Sequence, residues 1–331
     1  MNLVIRILRI SLLTLSIGFV IFLLVDAGSS LDRLGDLHWS SIIVAAALTI
    51  GAVLAAAFLW IQLVETLKPG VTRSHRFDLL RAFSRSWVAR YLPGGAWSQG
   101  ARFLYTEPDV VGRRVLALSL FDELALAVAS ATAVGITLWV WSALGIAMAL
   151  VAFGILGAAT IYVAMRLHRV AGWFLRVASR LGWARLRRLA TSAARTAENP
   201  LGARSAAALS TGYALVSLGG GASYVFAVAS LSQVSTSDVP TLMAVFILAF
   251  VVGLAAVFAP AGLGVREAVL ASVGATTIAA PTAVLAAVLL RMVTMAVDIL
   301  FFVVVEAIGR FRSRQAPSPL GGEGQWQRPR R

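Results

Sequence analysis

Two stretches of the sequence combine a helix break with basic residues, a combination suited to binding an anion. Proline and glycine end a helix and allow a tight turn. The backbone N–H groups at the start of the next helix attract negative charge, and arginine can hold a phosphate through paired donors. The first stretch contains Arg90, Tyr91, Pro93, Gly94, Gly95, Gln99 and Arg102. It predicts a phosphate-binding turn, and the alternative is a cytoplasmic loop with solvated arginines.

The second stretch repeats this order of features between two apolar runs. It contains Pro260, Gly262, Gly264, Arg266 and Glu267. In transporters built from inverted repeats, substrate sites form where the broken helices of the two halves meet. The second stretch therefore predicts the other half of one lipid-binding site, and the alternative is an ordinary turn between helices.

Four more charged residues lie inside apolar runs: Asp122, Glu123, Arg291 and Asp298. A charge at bilayer depth costs about 2.5–3.5 kcal/mol, so these side chains must pair or line a polar pathway. We expect Asp122 or Glu123 to pair with an arginine of this set or of the first stretch. A purely structural ion pair and a functional role are equally open.

The sequence lacks the patterns of common catalytic and cofactor sites. Cysteine is absent, and the three histidines are far apart, so we expect no metal centre. Gly219-Gly220-Gly221 is not followed by the Lys-Ser/Thr of a P-loop and is more typical of a close helix contact. We therefore expect no cofactor and no enzymatic activity.

The composition predicts a membrane protein. Of 331 residues, 59% are hydrophobic and 13% are charged, against about 25% charged in soluble domains. The mean hydropathy is +0.84, so lipid must be the solvent for much of the surface. The net charge is +14, and the basic residues that cause it lie between the apolar runs. This distribution favours the positive-inside pattern over nucleic-acid binding.

The apolar runs predict an all-α polytopic protein with six full spans. The spans are 5–25, 40–63, 115–138, 143–165, 205–229 and 282–306. The first lacks a signal-peptide cleavage site and is expected to remain. Arginines concentrate in 64–114, in 166–204 and in the tail, so both termini are expected in the cytoplasm of a bacterial inner-membrane protein, N-in and C-in.

Two segments, 77–106 and 241–280, are interrupted and must each cross the membrane an even number of times. We predict two broken re-entrant helical hairpins, and the alternative for the second is two crossings. Each hairpin lies between two spans, so the halves predict an inverted repeat. The integral membrane domain would cover 1–310, with amphipathic cytoplasmic helices at 167–195 and a disordered basic tail at 311–331.

Four motifs, in this order, resemble the transmembrane domain of the lysylphosphatidylglycerol synthase/flippase family. They are RAFSRSWVARYLPGGAWSQGARFL, FDE, FAPAGLGVREAVL and LLRMVTMAVDILF. The resemblance covers about residues 5–310 and implies paired re-entrant elements and translocation of an aminoacylated phospholipid or a related polar lipid. Full synthases append a cytosolic aminoacyl-transfer domain, whereas here only about twenty residues follow the last span. Aminoacyl transfer by this chain alone is therefore not expected.

Together these features predict a lipid transporter or flippase. A midplane cavity would hold the lipid phosphate on Arg90, Arg102 and Arg266. Its acidic residues would balance the charge or contact a cationic head group; they are Glu267, Asp122 and Glu123. One alternative is an accessory subunit that presents lipid to a separate glycosyltransferase or synthase. Another is a membrane-embedded lipid-modifying enzyme. Each of these three functions is compatible with a partner membrane enzyme or with a homo-oligomer.

Overall fold

The structure is a computed structural model that describes five parts of the chain: 37–91, 97–180, 201–256, 259 and 262–315. The predicted span 5–25 lies outside them. The described residues form helices and no strand. The helices are α1 Trp39–Leu67, α2 Val71–Ala89, α3 Trp97–Tyr105, α4 Arg113–Leu144, α5 Ile146–Arg180, α6 Ala203–Ala229, α7 Val239–Ala255, α8 Val265–Gly274 and α9 Ala280–Gln315.

Five of these helices are long and apolar enough to cross a membrane. The candidate spans are Trp39–Leu67, Val115–Leu144, Ile146–Arg166, Ala203–Ala229 and Ala280–Arg312. Alanine and leucine, which are abundant in these runs, have high helix propensity. In lipid the backbone polar groups must be satisfied internally, and a helix bonds all of them within one segment. The predicted all-helical, polytopic membrane class is confirmed for the described residues.

Several element boundaries differ from those that the sequence predicts. The helix predicted to end at 138 continues to Leu144, where Gly145 turns the chain with a φ of 86°. Residues 167–180 extend α5 rather than starting a separate amphipathic helix, because nothing in this stretch breaks the helix; 181–195 lie outside the described residues. Helix α9 runs through Gln315, past the predicted start of the tail at 311.

The two interrupted segments each form a longer and a shorter helix. Helices α2 and α3 make up the first, with 19 and 9 residues, and α7 and α8 the second, with 17 and 10 residues. At 1.5 Å per residue, α8 is about 15 Å long, about half the thickness of a hydrocarbon core. The short helices therefore cannot cross a bilayer by themselves.

Helices α1 and α6 pack along each other at the centre. Their contact includes a hydrogen bond between the Thr49 and Ser223 hydroxyls at 2.9 Å. The other helices surround this pair: α2 packs on α9, α7 on α4, α9 on α1, and α4 on α6. Helix α5 packs only on α4 and α6 among the major contacts and leaves Leu150, Phe153 and Ile155 exposed. Such an apolar outer face is suited to lipid.

Candidate functional site

A cavity of about 130 Å³ lies between α1, α2, α6, α7, α8 and α9. It adjoins the middle of α1, α6 and α9, which are among the longest apolar helices. Its polar lining residues are Thr49, Trp87, Arg90, Ser217, Ser223, Arg266, Thr294 and Asp298. Apolar side chains complete the wall, among them Val53, Val216, Ile247, Phe250 and Leu290. Both broken segments contribute an arginine, Arg90 from the first and Arg266 from the second.

Asp298 anchors the end of α2 to α9. Its carboxylate is fully buried and accepts hydrogen bonds from the guanidinium of Arg90, the hydroxyl of Tyr91 and, at 2.8 Å, the indole Nε1–H of Trp87. Arg90 also lies over the Trp87 ring, 4.3 Å from its centroid. A buried carboxylate with three donors is well satisfied. The charge of Arg90 is therefore balanced within the protein.

Arg266 lies in the first turn of α8, and its guanidinium stacks on the ring of Phe246, 4.5 Å from the centroid. No carboxylate of the described residues lies within ion-pair distance of it. Stacking on an aromatic face stabilises a cation but leaves the outer edge of the guanidinium available for an anion. Arg266 is the group in this cavity best suited to bind a phosphate.

Glu267 is 2% exposed and is not among the residues that line the cavity. One of its oxygens accepts the backbone N–H of Gly264 at 2.8 Å, which caps the start of α8. The other lies 3.6 Å from Nη1 of Arg291 on α9. Arg291 in turn lies over the ring of Tyr91, 5.3 Å from the centroid. These contacts join the start of α8, helix α9 and the residues that directly follow α2.

Two glycines shape the break before α8. Gly262 and Gly264 have φ values of 67° and 82°, a left-handed region that favours glycine. A Cβ at Gly262 would lie 3.1 Å from the backbone of Gly253 on α7. The break can therefore fold tightly against α7, and this geometry directs Arg266 into the cavity.

Arg102 occupies a different site from the one expected. It is 2% exposed and pairs with Glu123 on α4. Its Nε–H also donates to the Ser86 hydroxyl at 3.0 Å, and its guanidinium lies 4.6 Å from the ring centroids of both Trp60 and Phe83. Arg102 is not among the described residues that line the cavity. Its donors are used within the protein, so its contacts are those of a structural residue.

The other predicted site residues divide into three groups. Asp122 is fully buried on α4, next to Glu123, and neither residue lines the cavity. Gln99 lies in α3. Pro93, Gly94, Gly95 and Pro260 lie outside the described residues.

The cavity also contains residues that sequence reasoning missed. Trp87, Ser217 and Thr294 lie on helices whose patterns gave no reason to single them out. A hydroxyl that bonds its own helix backbone is common in apolar helices, so its position carries no signal in the sequence. The run Gly219-Gly220-Gly221 gave a usable signal: a Cβ at Gly220 would meet Phe246 at 2.6 Å, and α6 and α7 approach closely there.

A second polar cluster joins α2 to α9 beyond the cavity. Arg81 and Arg85 both donate to Glu306, at 2.9 Å and 2.6 Å. Both arginines are about one third exposed, so each pair is worth little by itself. The cluster nevertheless fixes where α2 lies along α9.

Comparison with known proteins assigns the chain to a family. No curated protein matches the chain significantly. The family model described as "Lysylphosphatidylglycerol synthase TM region" matches residues 6–301, most of the chain, including both broken segments and the cavity. The predicted resemblance is confirmed: the chain belongs to the lysylphosphatidylglycerol synthase transmembrane-region family.

Proposed function

We propose that the protein is a lipid transporter or flippase. The head group of an anionic or polar lipid binds in the cavity while its acyl chains remain in the bilayer. One observation carries the proposal: Arg90 and Arg266, one from each broken segment, line a single cavity at the middle of the apolar helices. Arginine at such depth is expensive unless it pairs with a carboxylate or serves a polar ligand or pathway. Arg90 pairs with Asp298, whereas Arg266 has no carboxylate within ion-pair distance among the described residues. Family membership supports a function related to membrane lipids.

An inverted repeat would give this cavity access to both sides of the membrane. In the proposed repeat, α1 to α4 correspond in order to α6 to α9. The packing supports this correspondence, because contacts within and between the halves have counterparts: α2 with α9 corresponds to α7 with α4, and α1 with α9 corresponds to α6 with α4. Rocking of one half against the other around a fixed site is how such transporters alternate access.

The arginine-rich segments support an orientation in the bacterial inner membrane with both termini in the cytoplasm. In this orientation the α2–α3 segment enters from the cytoplasm, and the α7–α8 segment enters from the opposite side. The two breaks would then approach each other from opposite faces, with the cavity between them. A lipid head group could reach the cavity from either leaflet.

The contacts of the acidic residues favour transport over catalysis. A membrane-embedded hydrolase or transferase would need an acid–base pair facing the substrate. Instead, Glu123 pairs with Arg102, Glu267 contacts Arg291 and the Gly264 backbone, and Asp298 accepts three donors. Within the described residues, no group of three His, Asp or Glu side chains is arranged to hold a metal.

Lipid translocation in proteoliposomes tests the proposal. The purified protein is reconstituted with a trace of head-group-labelled phospholipid, and the label that crosses to the protected leaflet is measured over time. We expect faster crossing than in protein-free vesicles, and a decrease of at least tenfold in the Arg266→Gln variant. Crossing at the protein-free rate would contradict the proposal. If a membrane enzyme also co-purified stably, that result would favour the accessory-subunit alternative.

A further inference from the structure

We propose that the cavity selects a lipid whose phosphodiester head group carries hydroxyl groups and no ammonium group. The inference rests on the proposed function and defines its substrate class. The cavity thereby prefers net anionic lipids to aminoacylated, cationic ones. Three features of the site favour such a lipid: the net charge around the cavity, the contacts of the carboxylates, and the hydrogen bonds of the hydroxyl groups.

The charged groups around the cavity leave one net positive charge. Arg266 interacts electrostatically with Arg90 and with Arg291. Asp298 pairs with Arg90, and Glu267 lies 3.6 Å from Arg291. Three guanidiniums against two carboxylates give an excess of one cation. In the sequence, residues 92–96 and 257–261 contain no charged residue. A single phosphodiester would neutralise this excess.

Both carboxylates of the group are already bonded to protein donors. Asp298 is held by Arg90, Tyr91 and Trp87, and Glu267 by the backbone of Gly264 and by Arg291. An incoming ammonium group would therefore meet an excess of cations. To gain a carboxylate partner, it would have to break one of these buried contacts. Like charges brought together at an interface disfavour the wrong ligand strongly.

The hydroxyl groups of the cavity are arranged to accept hydrogen bonds. Ser217 donates to the Tyr213 carbonyl at 3.0 Å, and Thr294 donates to the Leu290 carbonyl at 2.7 Å. A hydroxyl has one proton and two lone pairs, so these oxygens can still accept. They can receive the O–H groups of a glycerol or polyol, while Arg266 donates to the phosphate. The cavity thus offers one cationic donor for phosphate and acceptors for neutral hydroxyl groups.

Competition between head groups tests this selectivity. Translocation is measured in the same vesicles for phosphatidylglycerol, phosphatidylcholine and lysyl-phosphatidylglycerol, which are anionic, zwitterionic and cationic. We expect phosphatidylglycerol to cross about tenfold or more faster than the lysylated lipid. Arg266→Lys should retain the preference at a lower rate because it keeps the charge, and Arg266→Gln should lose it. Gel filtration and the melting temperature establish that each variant is folded.

A new carboxylate should change the preference in the opposite direction. Thr294→Asp adds one negative charge to the cavity wall and cancels the excess cation. We expect its preference for phosphatidylglycerol over the lysylated lipid to fall at least fivefold. Equal or faster crossing of the lysylated lipid by the wild-type protein would overturn the selectivity but leave the transporter proposal intact. If no lipid crossed faster than in protein-free vesicles, the transporter proposal itself would fail.

Discussion

Arg102 and Arg266 carry the same guanidinium group in opposite surroundings. Arg102 is enclosed by Glu123, Ser86 and two aromatic rings, so its donors have protein partners. Arg266 has an aromatic ring on one side and the cavity on the other. From burial and partners we propose a structural role for the first arginine and a ligand-binding role for the second.

Replacing Arg102 by alanine should destabilise the protein strongly. The change leaves Glu123 buried without its cation, which costs about 3–5 kcal/mol in buried ion pairs. The free energy of unfolding, measured by denaturant titration in detergent, should fall by about this amount. Arg166→Ala is the matched control, because Arg166 is exposed and its guanidinium lies over the Tyr162 ring.

The double variant Arg102→Met/Glu123→Leu separates stability from transport. Replacing a buried ion pair by apolar residues of similar volume is often neutral or stabilising, so most of the lost stability should return. Lipid translocation should return with it, because neither residue lines the cavity. A stable double variant that fails to translocate lipid would mean that Arg102 takes part in transport.

Arg90 and Asp298 should behave as a coupled pair. Alanine at either position breaks the same buried contact between α2 and α9, so the two losses should not add. A double-mutant cycle on the free energy of unfolding should give a coupling energy of about 0.5–3 kcal/mol. Additive losses would show that the two side chains do not stabilise each other.

At the scale of elements, the break between α7 and α8 depends on backbone geometry that only glycine adopts easily. Gly262→Ala should destabilise the protein by about 1–3 kcal/mol, because its φ is positive and the new Cβ would press on the Gly253 backbone. The melting temperature and the rate of lipid translocation should both decrease.

Gly157→Ala on α5 is the control for this glycine. It lies within a helix with nothing within 4 Å of the added Cβ, so the change should be neutral or stabilise by about 0.5–1 kcal/mol. Equal effects at Gly157 and Gly262 would contradict the proposed importance of the break.

Some elements could be predicted from the sequence, and others could not. Long apolar runs predicted five of the described spans, because lipid imposes a minimum helix length. Proline and glycine within the other two segments predicted their interruptions. The predicted end of the third span at 138 was wrong by several residues, since the uncharged Trp139-Val140-Trp141-Ser142 continues a helix as readily as it forms a turn. The charge pattern at 167–180 indicated an amphipathic surface helix, yet arginines do not break a helix, and α5 continues.

The arginines that line the cavity could be predicted from the sequence, but their different surroundings could not. Arginines next to the breaks identified Arg90 and Arg266, but residue type could not distinguish them from Arg102. Only three-dimensional packing brings Glu123, Trp60 and Phe83 around Arg102. The cavity hydroxyls could not be predicted, because helical hydroxyls are common in apolar spans.

At the scale of the whole molecule, the orientation of the chain is testable with single cysteines. The natural sequence contains none, so each introduced thiol is the only one present. Ser235 follows α6, Ser74 lies near the start of α2, and both are exposed. A membrane-impermeant maleimide should label Ser235→Cys in intact spheroplasts and Ser74→Cys only after permeabilisation. The reverse pattern would invert the proposed orientation.

Photocrosslinking from the lipid head group tests most directly whether a polar head binds between the two broken segments. A phospholipid with a diazirine in its head group is incorporated into vesicles with the wild-type protein and illuminated, and the labelled peptides are mapped by mass spectrometry. We expect labels on cavity residues of α6 and α9, near Ser217 and Thr294, and their loss in Arg266→Gln. Labels confined to surface positions such as Trp39 and Trp139, unchanged by the variant, would contradict it.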